Sequence, residues 1–64
     1  MKIKYDKSLD ILYIRFSDER IVDSDSDKPG VIMDYDAQGR LVAIEVLNAS
    51  KKMPNPTKLE YETT

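Results

Sequence analysis

Histidine, cysteine and tryptophan are all absent from this chain. Without cysteine there is no disulfide, no thiolate nucleophile, no iron–sulfur cluster and no cysteine-ligated zinc. Without histidine there is no triad base of the usual kind and no imidazole ligand, and no side chain that titrates unperturbed near neutral pH. Glycine is scarce too: Gly30 and Gly39 are the only two, too few for a phosphate-cradling loop and better read as turn residues.

Length and charge are likewise limited. Sixty-four residues make one small domain, 1–64, and a chain this short buries only about 60% of its unfolded surface. Ten basic against twelve acidic residues leave a net charge of −2. No cationic stripe is present to displace counterions from phosphates, so a nucleic-acid partner is not expected. No apolar run approaches the roughly 18 residues of a membrane span, and the start shows no signal-peptide core. A cytoplasmic protein with no cofactor is the expectation. The charges are unevenly placed: Asp18, Glu19, Asp23, Asp25, Asp27, Asp34 and Asp36 crowd residues 17–36, while most lysines sit near the two ends.

What is present has a period of two. Met1, Ile3 and Tyr5 alternate with Lys2, Lys4 and Asp6, the pattern of a half-buried strand. Asp6-Lys7-Ser8 then supplies turn-forming side chains. Ile11 to Phe16 is a second strand that is apolar on both faces, as in strands covered on both sides. A short third strand is expected over Glu19–Asp23, with an acidic, breaker-rich loop from Asp23 to Gly30. Val31–Tyr35 and Leu41–Leu47 follow, joined by the hairpin signal Asp36-Ala37-Gln38-Gly39. Asn48 to Met53 fits one helical turn stopped by Pro54. Residues 53–64, in which Leu59 and Tyr61 alternate with charges, read as a sixth, edge-type strand or a loosely attached tail.

Few residues suit chemistry. Asp23, Asp25, Asp27 and Asp34 mimic the spacing of a calcium loop, which makes them weak metal-ligand candidates. The match fails where geometry is strictest, because Lys28 and Pro29 follow where the sharp glycine turn belongs. A solvated acidic loop that keeps strand edges from pairing is the simpler account. Asp34 and Asp36, approached by Asp10 or Glu45, form the best carboxylate group for acid–base work, yet a small meander offers little volume for a desolvated pocket. The serines have neither a histidine nor a glycine-flanked elbow. Tyr13 beside Arg15 is the one aromatic–basic pair suited to base stacking, and core packing is the commoner use of tyrosine. No catalytic residue is assigned, and an enzyme is not expected.

Several fragments carry a family resemblance when taken in order: Tyr5-Asp6, Leu12-Tyr13-Ile14-Arg15-Phe16-Ser17, Pro29-Gly30-Val31, Asp34-Tyr35-Asp36, Gly39-Arg40, Ile44-Glu45 and Asn48-Ala49-Ser50. Over about residues 1–53 the chain resembles the domain of unknown function 2283 family, departing slightly at Ala43, where glycine is common, and Asn48, where aspartate is common. The resemblance implies a small β-rich protein without an established activity. It also implies an antitoxin-like role, through an association of some members with small toxin-like proteins.

The expected fold is mainly β: a small antiparallel meander of five to six strands with one short helical turn near residues 48–53. One bare sheet cannot hide two apolar faces. The face of Ile11, Tyr13, Arg15, Leu41, Ala43, Glu45 and Leu47 is therefore expected to meet a partner, most simply a second copy in a homodimer. Arg15 and Glu45 are expected to pair across strands or across subunits. The functional expectation is a non-catalytic interaction module that binds a small basic protein through its acidic segment. The alternative is a divalent-ion or small-ligand binder using the 23–34 loop.

Overall fold

A computed structural model describes residues 1–64. Five strands form one antiparallel sheet: β1 (Lys2–Asp6), β2 (Ile11–Arg15), β3 (Asp23–Asp25), β4 (Val31–Tyr35) and β5 (Leu41–Leu47). A single helical turn, α1 (Ala49–Lys52), follows. The expected class is therefore the observed one. The strand order is β1-β2-β5-β4-β3, so the sequential run is broken once, where β5 pairs with β2.

That one long-range pairing explains where the sequence-based boundaries fail. After Arg15 the chain must reach an edge three strand spacings away, about 14 Å at roughly 4.8 Å each. Residues 16–22 are consumed by this crossing, anchored where the Phe16 amide donates to the Val42 carbonyl and the Val22 amide to the Tyr35 carbonyl. The third strand consequently lies at Asp23–Asp25, not Glu19–Asp23, and the supposed loop 23–30 begins as a strand. Its aspartates sit on an exposed edge, where charge discourages pairing with other chains. At the other end, residues 53–64 form no strand, so the possible sixth strand is absent and Leu59 and Tyr61 stand exposed.

The turns are built by acidic side chains. In the β1–β2 turn the Asp6 carboxylate accepts from the Leu9 amide at 3.0 Å and the Ser8 hydroxyl at 2.8 Å. In the β4–β5 turn Asp36 accepts from the amides of Gln38 and Arg40, both at 2.9 Å, and from Arg40 Nε at 3.0 Å. Gly39 there adopts φ 78°, the left-handed conformation that the hairpin signal requires.

Registers place paired residues on a common face. One face carries two apolar rows: Ile3, Ile14, Ile44 and Met33, then Tyr5, Leu12, Val46 and Val31. The other face is mixed, with rows Lys2–Arg15–Ala43–Asp34–Ser24, Lys4–Tyr13–Glu45–Ile32 and Asp6–Ile11–Leu47. Domains normally pack two such layers around a core. Here there is one layer, and only Val42, Ala43 and Ala49 are fully buried apolar residues.

Candidate interaction surface

Three polar clusters and one bare face are what the chain offers chemically. The first cluster joins the β1–β2 turn to α1. Asp10, with φ 55°, receives hydrogen bonds on its carboxylate from the Tyr5 hydroxyl at 2.6 Å, the Ser50 amide at 2.9 Å and the Ser50 hydroxyl at 2.6 Å. Its own carbonyl accepts from the Ala49 amide at 2.9 Å. The Ser50 hydroxyl, then Tyr5 and the Ser50 amide, hold the Asp10 carboxyl below the usual aspartate range. The same bond pushes the Tyr5 phenol up, because it donates to a carboxylate. Asn48, with φ 51°, turns the chain into the helix so that Ser50 arrives at Asp10. No sequence signal pointed to this pairing, since its partners lie 40 residues apart.

The second cluster is the Asp36 turn. Asp36 is only 5% exposed, and its pKa is lowered chiefly by the Arg40 amide, with Gln38 and the Arg40 side chain adding to it against the cost of burial. It is a structural carboxylate, with both oxygens engaged in holding the turn. The expected approach of Asp10 to Asp34 and Asp36 does not occur, because Asp10 is bound at Ser50 and Tyr5.

The third cluster lies on the mixed face. Asp34, 4% exposed, accepts from the Ser24 hydroxyl at 2.6 Å. Glu45 stands diagonally across from it on β5, and its pKa is raised, first by burial and then by the Asp34 charge. Arg15 does not pair with Glu45 within the chain. It lies opposite Ala43, and its guanidinium donates to the Ser17 and Glu19 carbonyls, both at 2.8 Å, and to the Tyr13 hydroxyl at 3.2 Å. The crossing segment thus takes the cation for itself, because a chain leaving the sheet needs its carbonyls satisfied.

The remaining expected residues fall as follows. Ile11, Tyr13, Arg15, Glu45 and Leu47 share the mixed face and are half-buried, Ala43 on that face is fully buried, and Leu41 is 38% exposed at the start of β5. The four aspartates of the calcium-like spacing do not converge. Asp25 pairs with Met33 on the apolar face, while Asp34 pairs with Ser24 on the other. Asp23 and Asp25 spend their carboxylates on the amides of Ser24 and Asp27, both at 2.9 Å. No three acidic side chains come together as a cation cage would require.

Unlike these clusters, the apolar rows have no partner. None of Ile3, Tyr5, Leu12, Ile14, Val31, Met33, Ile44 and Val46 is buried, although Ile14 and Ile44 stand on the inner strands of the sheet. Phe16, just past β2, is 41% exposed. Period-two alternation located these residues; their lack of cover is visible only once the strand order is known.

The fold and surface define a small single-sheet antiparallel β protein with acid-built turns and an uncovered apolar face. More particularly, residues 2–50 match the family model described as protein of unknown function (DUF2283), and the chain belongs to that family. No curated protein matches the chain significantly. No solved structure does either. No helix is long and apolar enough to cross a membrane.

Proposed function

We propose that the protein is a non-catalytic protein-interaction module that acts as a homodimer, with its acidic segment available to a small basic partner in an antitoxin-like role. The observation that carries this reading is the lack of an interior: a 64-residue chain with three fully buried apolar residues has little to offset the entropy of folding. Assembly supplies the missing layer. The polar clusters support a non-catalytic role, because Asp10 accepts from two hydroxyls and one amide, Asp36 accepts from two amides and a guanidinium, and their lowered pKa values suit permanent acceptors, not proton shuttles.

The acidic segment is narrower than its sequence suggests. Asp34 and Asp36 are turned inward, which leaves Asp18, Glu19, Asp23 and Asp27 on the exposed crossing and edge. Charge complementarity there would speed an encounter with a cationic protein and weaken with salt. Sedimentation equilibrium at micromolar concentration tests the dimer: a single monomeric species defeats it. Co-purification from the native host at low salt tests the partner, and a stoichiometric basic protein released by added salt is the supporting result.

A further inference from the structure

We propose that the interface of this homodimer is the apolar face: the rows Ile3–Ile14–Ile44–Met33 and Tyr5–Leu12–Val46–Val31 pack against the same rows of a second copy, giving a two-layer sandwich with the mixed faces outward. The inference rests on the homodimer reading and names its surface, which differs from the one that sequence alone favoured.

Charge separates the two faces. Among the paired strand residues the apolar face carries only two charged side chains, Asp23 and Asp25, both on the β3 edge strand. The mixed face carries Lys2, Lys4, Asp6, Arg15, Asp34 and Glu45. A two-fold contact sets identical patches together, so burying the mixed face would desolvate the charges that still meet water there, Lys2, Lys4, Asp6, Arg15 and Glu45. Burying the apolar face desolvates almost none.

Area permits a contact of ordinary size. The molecule measures 34 × 32 × 19 Å, and its broad face has room for the roughly 800 Å² that each partner gives to a standard interface. Sheets stacked face to face stand about 10 Å apart, a gap that the aliphatic side chains of two such rows fill by interdigitation.

The occupant is a second copy because the cover is needed for the chain to hold its fold, and another copy is present wherever the chain is made. The surface also presents no charge pattern that selects a different protein. The chain's own tail is a poor cover: it brings only Leu59 and Tyr61 as large apolar side chains after Met53, and these stand 64% and 72% exposed.

Isoleucines mark both faces, so the unaltered protein can be tested. Ile3, Ile14 and Ile44 lie on the apolar face; Ile11 and Ile32 lie on the mixed one. The δ-methyl groups are labelled with carbon-13, and their signal loss is followed as a soluble gadolinium chelate is added, with sedimentation on the same sample. The expected result is a dimer in which Ile14 and Ile44 are bleached several-fold less than Ile11 and Ile32. A dimer with Ile11 and Ile32 protected overturns the inference and keeps the homodimer. A dimer with both sets bleached places the contact at a strand edge and overturns it too. A monomer overturns both, and protection of Ile14 and Ile44 within a monomer identifies the tail as the cover.

Discussion

Replacing Glu45 by glutamine should stabilise the protein at neutral pH and leave it nearly unchanged in mild acid. Glu45 sits mid-strand on β5, half-buried, opposite Ile32 and Tyr13 and diagonal to the buried Asp34. Burial first, then the Asp34 charge, raises its pKa. Arg15, the cation diagonal to it on β2, is engaged elsewhere, held by Ser17, Glu19 and Tyr13. A carboxylate with a raised native pKa binds its proton more tightly when folded. Stability therefore falls as pH rises from the unfolded value, about 4.3, through the native one, and stays lower above it.

Two charges about 7 Å apart, as diagonal neighbours are, repel by about 2.4 kcal/mol at an effective dielectric of 20. Measured cross-strand pairs are worth less, about 0.2–1 kcal/mol, because exposed side chains swing apart and water screens them. A gain near 1 kcal/mol at pH 7 is expected for E45Q, which in a domain of this size is about 4–8 °C in Tm. The assay is urea unfolding of both proteins at pH 7 and pH 4.5, at one fixed protomer concentration because association shifts apparent stability. A gain of equal size at the two pH values, or a loss at pH 7, would refute the electrostatic account.

Three further outcomes are expected. Asp10→Asn should lower Tm at pH 7, because an amide offers one acceptor oxygen where Ser50 and Tyr5 use two. The Asp10 pKa is lowered in the folded protein, so its contribution is present above the unfolded value near 3.9 and is lost as pH falls through the native one; thermal melts at pH 7 and below pH 4 should show the difference between wild type and variant shrinking. Gly39→Ala should cost about 1 kcal/mol in urea unfolding, for its φ of 78° alone, since open space surrounds the position, and Gly39→Asn should cost less. Truncation after Met53 should leave the sheet's circular dichroism and Tm almost unaltered, because the ladders end at Leu47 and the tail contributes no strand.

How much was legible beforehand follows from which physical signals are local. The strands β1, β2, β4 and β5 were found because alternation is a local property of half-buried strands. The Asp36–Gly39 turn is legible for the same reason, since Asp and Gly supply short-range hydrogen bonds and left-handed backbone, and the helical turn after Asn48 is legible from its stop at Pro54. β3 was misplaced because apolar Ile21 and Val22 look more strand-like than Asp23-Ser24-Asp25, and only the distance to be crossed forces the strand onward. The Arg15–Glu45 pair was expected on the assumption that a cation on a sheet seeks a carboxylate, whereas the departing backbone claimed it first. The Asp10–Ser50 tie was out of reach, since nothing local links positions 40 apart.

The two faces also divide the work that a single surface would have to share. On the proposed arrangement the apolar rows are used up in self-assembly, and recognition of another protein falls to what stays outside. Asp18, Glu19, Asp23 and Asp27 all lie on the crossing or on the β3 edge, away from the centre of the apolar face. A two-fold axis through that face repeats this acidic margin on the second copy, so a basic partner that reaches both margins binds with a second event made intramolecular. Weakening self-assembly would then weaken partner binding without touching any acidic residue. Neutralising Asp18 and Glu19, in contrast, would weaken partner binding and its salt dependence while leaving the dimer intact.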